Sequence, residues 1–198
     1  METDMDSMTT QTLIIVVVVA LIAIAVVAYV LYQKQQSKRL EQRFGPEYAA
    51  AVQKLGSRAK AEAELRKREK RVGRLDILPL TPVEVNRFTQ SWTRLQSSFI
   101  DDPKGVLIQA DRLVRELLLK RGYPMADFER RAADISVDHP AVVSNYRSAQ
   151  LILSRDQRGD ASTEDLRKAV VHFRALFDEL LGATTADDAA APATRLAA

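Results

Sequence analysis

Residues 13–32 read LIIVVVVALIAIAVVAYVLY, twenty positions without a charge, a glycine or a proline. As a helix rising about 1.5 Å per residue, this stretch covers about 30 Å, the thickness of a bilayer's hydrocarbon core. Fourteen of the twenty are Leu, Ile or Val. At roughly −0.3 to −0.6 kcal/mol each they contribute on the order of −4 to −8 kcal/mol to insertion, and one buried arginine would cancel about half of that. The stretch predicts a single-pass transmembrane helix. A cleaved secretory signal would begin with bases, carry a shorter apolar core and end at a small-x-small site. This chain begins METDMDSMTTQT, with Glu2, Asp4 and Asp6 and no base.

Orientation follows from the flanking charges. No Lys or Arg precedes the span, whereas Lys34, Lys38, Arg39 and Arg43 follow it. The bias of basic residues toward the cytoplasmic side predicts an exported amino end and a cytoplasmic bulk, in a bacterial setting the inner membrane. Tyr29 and Tyr32 lie at the basic end, where amphipathic rings favour the headgroup level.

The net charge of +3 conceals an uneven distribution. Residues 33–74 hold 13 bases and 5 acids, residues 75–198 hold 16 and 18. Basic character thus belongs to one segment beside the span, not to the whole chain. The absence of cysteine excludes disulfides, thiolate catalysis and Cys-ligated zinc. With 198 residues, the part beyond the anchor suffices for about one domain.

In chain order the sequence predicts a short acidic tail at 1–12, the transmembrane helix at 13–32 and a basic juxtamembrane helical stalk at 33–74. A linker at 75–80, a helical bundle at 81–182 and a disordered tail at 183–198 follow. Phe44-Gly45-Pro46 breaks the first helix, because Gly tolerates unusual backbone angles and Pro suits the start of a new helix. Residues 47–72 are rich in Ala, Glu, Lys and Arg. Leu55, Leu65 and Val72 form no continuous stripe there, which predicts a solvated helix.

The bundle begins at Thr81-Pro82-Val83-Glu84, a capping box with Pro at the first helical position. Val85, Phe88, Trp92, Leu95 and Phe99 then fall on one face, which makes Trp92 a core residue rather than an exposed anchor. Asp101-Asp102-Pro103 caps a second helix whose wide apolar face predicts the most central position. Arg121-Gly122-Tyr123-Pro124 stops it. A short helix containing Met125, Phe128, Ala132 and Ile135 follows, then one capped by Asp138 or His139 with Val142, Tyr146, Ala149 and Leu153 on a face. The last opens at Ser162 with Asp165 in place of the usual Glu, and Gly182 is expected to end it. Outside the span no β-branched run alternates with polar residues. The fold class is therefore all-α: one N-terminal transmembrane helix, a charged juxtamembrane helix and a C-terminal bundle of about five helices.

Several of these motifs together resemble a family of bacterial membrane-anchored helical proteins to which no activity is assigned. They are RFGPEY at 43–48, LTPVE at 80–84, DDP at 101–103, RGYP at 121–124 and FERRAADISVDHP at 128–140. The resemblance covers about residues 43–181 and implies topology and fold, with no catalytic residue.

The densest charge run, RKREKRVGR at 66–74, places Arg66, Lys67, Arg68, Lys70, Arg71 and Arg74 in reach of an anionic surface. Lipid headgroups or nucleic acid are the candidate ligands, each base near a lipid surface contributing about 1 kcal/mol. No aromatic residue interleaves the bases as a stacking platform would require, which argues against nucleic acid and favours a solvated face. His139 and His172 are the only histidines. A metal or general-base site would draw on Asp134, Asp138 or Asp178, but no HExxH spacing exists, and both histidines read more simply as structural. No phosphate-binding glycine motif or nucleophile elbow is present, so neither a cofactor nor a catalytic residue is expected. The leading expectation is a membrane-anchored interaction or scaffold module with a bilayer and a protein as partners. The alternatives are an anionic-surface binder and an enzyme centred on His139.

Overall fold

The computed structural model describes the backbone of residues 2–190 and the side chains of residues 18–182. The described residues form eight helices and no strand. The chain divides into two compact units, Met1–Gln42 and Arg43–Ala198.

The first unit is formed by α1 (Glu2–Phe44), which includes a stretch long and apolar enough to cross a membrane. The described apolar side chains from Val18 to Tyr32 face outward, with Leu21 61%, Ile24 65% and Leu31 60% exposed. The residues expected as an acidic tail are helical in backbone from Glu2 onward, and the side chains of 1–17 lie outside the described residues.

The second unit begins where Gly45, at φ 46°, breaks the chain into α2 (Pro46–Leu55). Gly56, at φ 64°, caps α2 in the left-handed conformation that glycine adopts without a Cβ penalty, and α3 (Arg58–Val72) folds back on α2. The five remaining helices are α4 (Pro82–Ser97), α5 (Pro103–Lys120), α6 (Phe128–Asp138), α7 (Val143–Asp156) and α8 (Thr163–Ala190).

Local signals set most of the starts. Thr81 Oγ1 accepts from Glu84 N while the Glu84 carboxylate accepts from Thr81 N, which is a complete capping box. Lys120 and the two Thr81 donors hold the Glu84 carboxyl down to about 2. Ser162 and Asp165 exchange the same pair of bonds with the shorter acid. Asp102 accepts from Gly105 N at 2.9 Å. The linker at 75–80 is fixed against the end of α5: Leu78 N donates to Arg121 O, and Leu80 is buried. Gly122 is required there, since at φ 95° an added Cβ would lie 2.3 Å from the Asp76 carbonyl oxygen.

One contiguous apolar core joins α4, α5, α6, α7 and α8. Its centre is shared by α5 and α8: α5 packs against α4, α7 and α8, and α8 packs against α5 and α7 while its aromatic rings reach α4. Leu166, Ala169, Val170, Phe173, Leu176, Phe177 and Leu180 are all buried, a stripe wide enough to face three neighbours. Trp92 and Phe177 ring centroids lie 4.7 Å apart, and the Tyr146 and Phe173 rings meet at 6.3 Å.

Four expectations change. Residues 43–74 are part of the compact second unit rather than a solvated stalk. Tyr48, Ala51, Ala61, Leu65 and Val72 are buried, α2 packs on α3, and α3 packs on α6. Isolated apolar positions sufficed because two short helices share them. Met125 precedes α6, whose cap is Asp127, accepting from Arg130 N. His139 caps the end of α6 through its N–H to Ile135 O, and α7 begins at Val143 with no side-chain cap. Gly182 does not end α8, which continues to Ala190: a helical glycine costs only about 1 kcal/mol relative to alanine, and Ala-rich sequence follows. Residues 191–198 of the expected disordered tail lie outside the described residues.

Candidate functional site

The six bases of the 66–74 run do not act as one patch. Arg68 is buried, donating from Nη1 to Glu47 Oε1 at 2.9 Å and to Ser136 Oγ at 3.4 Å. Arg71 donates from Nε to Asp134 Oδ1 at 2.7 Å, its Nη2 lying 2.6 Å from the same oxygen. Arg66 lies 3.9 Å from Glu62. Lys67, Lys70 and Arg74 are exposed and, among the described residues, meet no carboxylate within ion-pair distance. The helical period explains the division: α3 turns Leu65, Arg68 and Val72 toward the protein and Lys67, Lys70 and Arg74 away from it.

Glu47 is the hub of the buried charges. Its Oε2 also accepts from Arg147 Nη1 at 2.5 Å, and its Oε1 from Arg147 Nη2 at 2.8 Å. Burial alone would raise its pKa, but the bonds and charges of Arg147 and Arg68 outweigh burial and leave the carboxyl below its ordinary value. Beside it Tyr48 Oη donates to Glu62 Oε1 at 2.8 Å, closing α2 onto α3, and burial followed by this carboxylate raises the phenol. Asp134 is 1% exposed and keeps Oδ2 without a hydrogen-bond partner. Lys54 pairs with Glu129 at 2.9 Å and Arg43 with Glu69 at 3.1 Å.

The Lys54–Glu129 pair, Arg68 and Arg71 border an open groove of about 690 Å³ between α2, α3 and the start of α6. One wall is a single stripe of α3 through Lys60, Ala63, Glu64, Lys67, Arg68 and Arg71, and Ala51 and Ala133 face it from α2 and α6. The acids along the groove are engaged internally: Glu64 with Arg68, Glu129 with Lys54, and Asp127 in the α6 cap. The bases Lys60, Lys67 and Arg130 have no such partner among the described residues. Lys60 is visible from sequence as one helical repeat before Lys67, whereas Arg130 joins them only through tertiary packing.

His139 lies in a second cavity of about 560 Å³, with Arg43, Arg121, Tyr123 and Asp138 among its walls. The imidazole is buried, with Nδ1 3.2 Å from Glu179 Oε1, and Tyr123 Oη donates to Asp138 Oδ2 at 3.0 Å. Burial, then the Asp138 charge, pushes the Tyr123 phenol up. Arg121 spans from α5 to Leu180 O at 2.7 Å. His172 lies half-buried beside Asn145, Nδ1 to Oδ1 at 3.0 Å, and Asp178 is engaged by Arg174 at 2.7 Å. The two histidines thus stand on different partners, and among the described residues no group of three metal-capable side chains forms. Trp92 is 1% exposed in the core, and Asp102 is used as a cap.

Comparison with protein-family models, curated proteins and solved structures finds no match. The functional reading accordingly rests on this chain's own geometry.

Proposed function

We propose that the chain is a membrane-tethered helical interaction module. Its apolar helix spans the inner membrane once with the amino end outside, and the second unit works in the cytoplasm by binding a protein. The observation that carries the tether is the outward-facing apolar surface of α1, which water would solvate at high cost and a bilayer would not. The bases Lys34, Lys38, Arg39 and Arg43 after the apolar stretch support the orientation. The open groove along α3, with its unengaged bases, supports the binding role.

Protease treatment of intact spheroplasts and alkaline carbonate extraction test the tether together. The carboxyl-terminal unit should survive the protease and stay with the membrane pellet. Digestion in intact spheroplasts overturns the orientation, and release into the carbonate supernatant overturns the span.

Lys67, Lys70 and Arg74, exposed and without carboxylate partners among the described residues, favour a second reading in which this face of α3 and the turn after it bind anionic headgroups or nucleic acid. Binding of that kind would weaken steeply with salt. Equal recovery of the protein with neutral and anionic vesicles, and with oligonucleotides absent or present, at low salt removes it.

A further inference from the structure

The groove between α2, α3 and α6 carries a pattern that narrows the class of partner. Its bases are distributed along an axis rather than gathered at a point. Lys60 and Lys67 are seven residues apart on α3, two helical turns or about 10 Å along the axis. A single phosphate or carboxylate cannot meet both, whereas a second helix running along the groove can present carboxylates at the same interval. The α3 stripe from Lys60 to Arg71 is about 16 Å long, enough to lie beside three turns of helix. Between the bases the lining is small: Ala63 is exposed, and Ala51 and Ala133, 4% and 9% exposed, form the floor, which leaves room for another helix to approach closely.

We infer that this groove receives an acidic amphipathic helix of a partner protein, with carboxylates two turns apart on Lys60 and Lys67, a further acid on Arg130, and an apolar row against the three alanines. This rests on the interaction-module reading and names the partner's chemistry. Helix-in-groove recognition supplies the geometry, with apolar contact providing burial and the charges fixing register. The groove's own acids do not oppose it, since Glu64, Glu129 and Asp127 are already engaged by Arg68, Lys54 and the α6 cap.

The test uses the full-length protein in its native membrane, with a photoreactive benzoylphenylalanine at Ala63 in the groove or at Ile108 on the exposed side of α5. Sequencing of the adducts should show the Ala63 probe joined to a segment with acids at i and i+7 on an apolar-faced helix. Charge reversal by Lys60→Glu, Lys67→Glu and Arg130→Glu should reduce that adduct at least tenfold, and reversing the partner's acids to lysine should restore it. The three bases are exposed and take part in no ion pair among the described residues, so the thermal transition of the triple variant should match the parent. A transition shifted down is met by the single variant Lys67→Glu, which should still lose several-fold of the adduct. Adducts only with lipid or nucleic acid, or an adduct indifferent to charge reversal in both variants, overturn the inference. A protein adduct from Ile108 with none from Ala63 also overturns it while leaving the interaction module standing. No protein adduct from either site ends both.

Discussion

The two halves of the second unit are held by different chemistry. In α4–α8 an apolar core closes around α5 and α8, with Trp92, Phe88, Phe173 and Phe177 buried and in ring contact. The α2–α3 hairpin contributes no residue to that core. Charged side chains, Arg68 and Arg147 on Glu47 and Arg71 on Asp134, account for much of its attachment to α6 and α7. Apolar burial is non-directional and largely indifferent to salt and pH, whereas a buried ion pair is directional and becomes costly once one partner is lost. The bundle should therefore behave as the stable scaffold, and the hairpin as an element whose seating depends on a few charges.

The largest effect is expected from Phe177→Ala. It removes a ring touching both Trp92 and Phe88 at the core's centre and should cost about 3–5 kcal/mol, lowering the thermal transition of the whole second unit. If hydrogen exchange in α5 and α8 were unchanged by it, the distinction between scaffold and hairpin would be lost.

Glu47→Gln should cost about 3 kcal/mol, since it leaves Arg68 and Arg147 facing a neutral amide in a buried setting. Its signature is regional: backbone amides of α2 and α3 should exchange faster while those of α5 and α8 keep their protection. A uniform loss across the unit would mean that the hairpin and bundle are one cooperative block.

A smaller effect should follow acidification. The folded carboxyl of Glu47 is depressed, so its contribution is fully present above the ordinary carboxylate value of 4.5 and is lost as pH falls through the folded value. Hairpin protection should be flat from neutral pH to about 5 and decline below that in the parent protein, and Glu47→Gln should remove that part of the decline. A hairpin equally protected in both proteins at pH 3 would show that Glu47 does not hold it.

Features that depend on neighbours along the chain were legible in advance. The apolar stretch of α1, the Gly45-Pro46 break, the Thr81 and Ser162 capping boxes and the turn at Gly122 all rest on groups within about five residues of one another, although the Asp76 carbonyl that excludes a side chain at Gly122 comes from afar. The period of apolar residues likewise placed Trp92 inside. The nature of 43–74 was not legible, because Leu65 and Val72 look isolated until α2 and α6 pack against α3. The candidate site was half-legible: the bases were visible, but not which of them were already engaged. Arg68 and Arg71 find Glu47, Ser136 and Asp134 far away in sequence, and Arg130 reaches the groove from α6.

The sequence by itself thus determined the all-α class, most of the helix starts and the presence of one helix apolar enough for a membrane, since hydrophobicity, period and capping are properties of short segments. Tertiary structure alone decided that the basic segment belongs to the compact unit, and that its charges divide between buried pairs and an open groove. A charge acquires its role from whatever lies within a few ångströms of it, and only the folded chain brings those groups together.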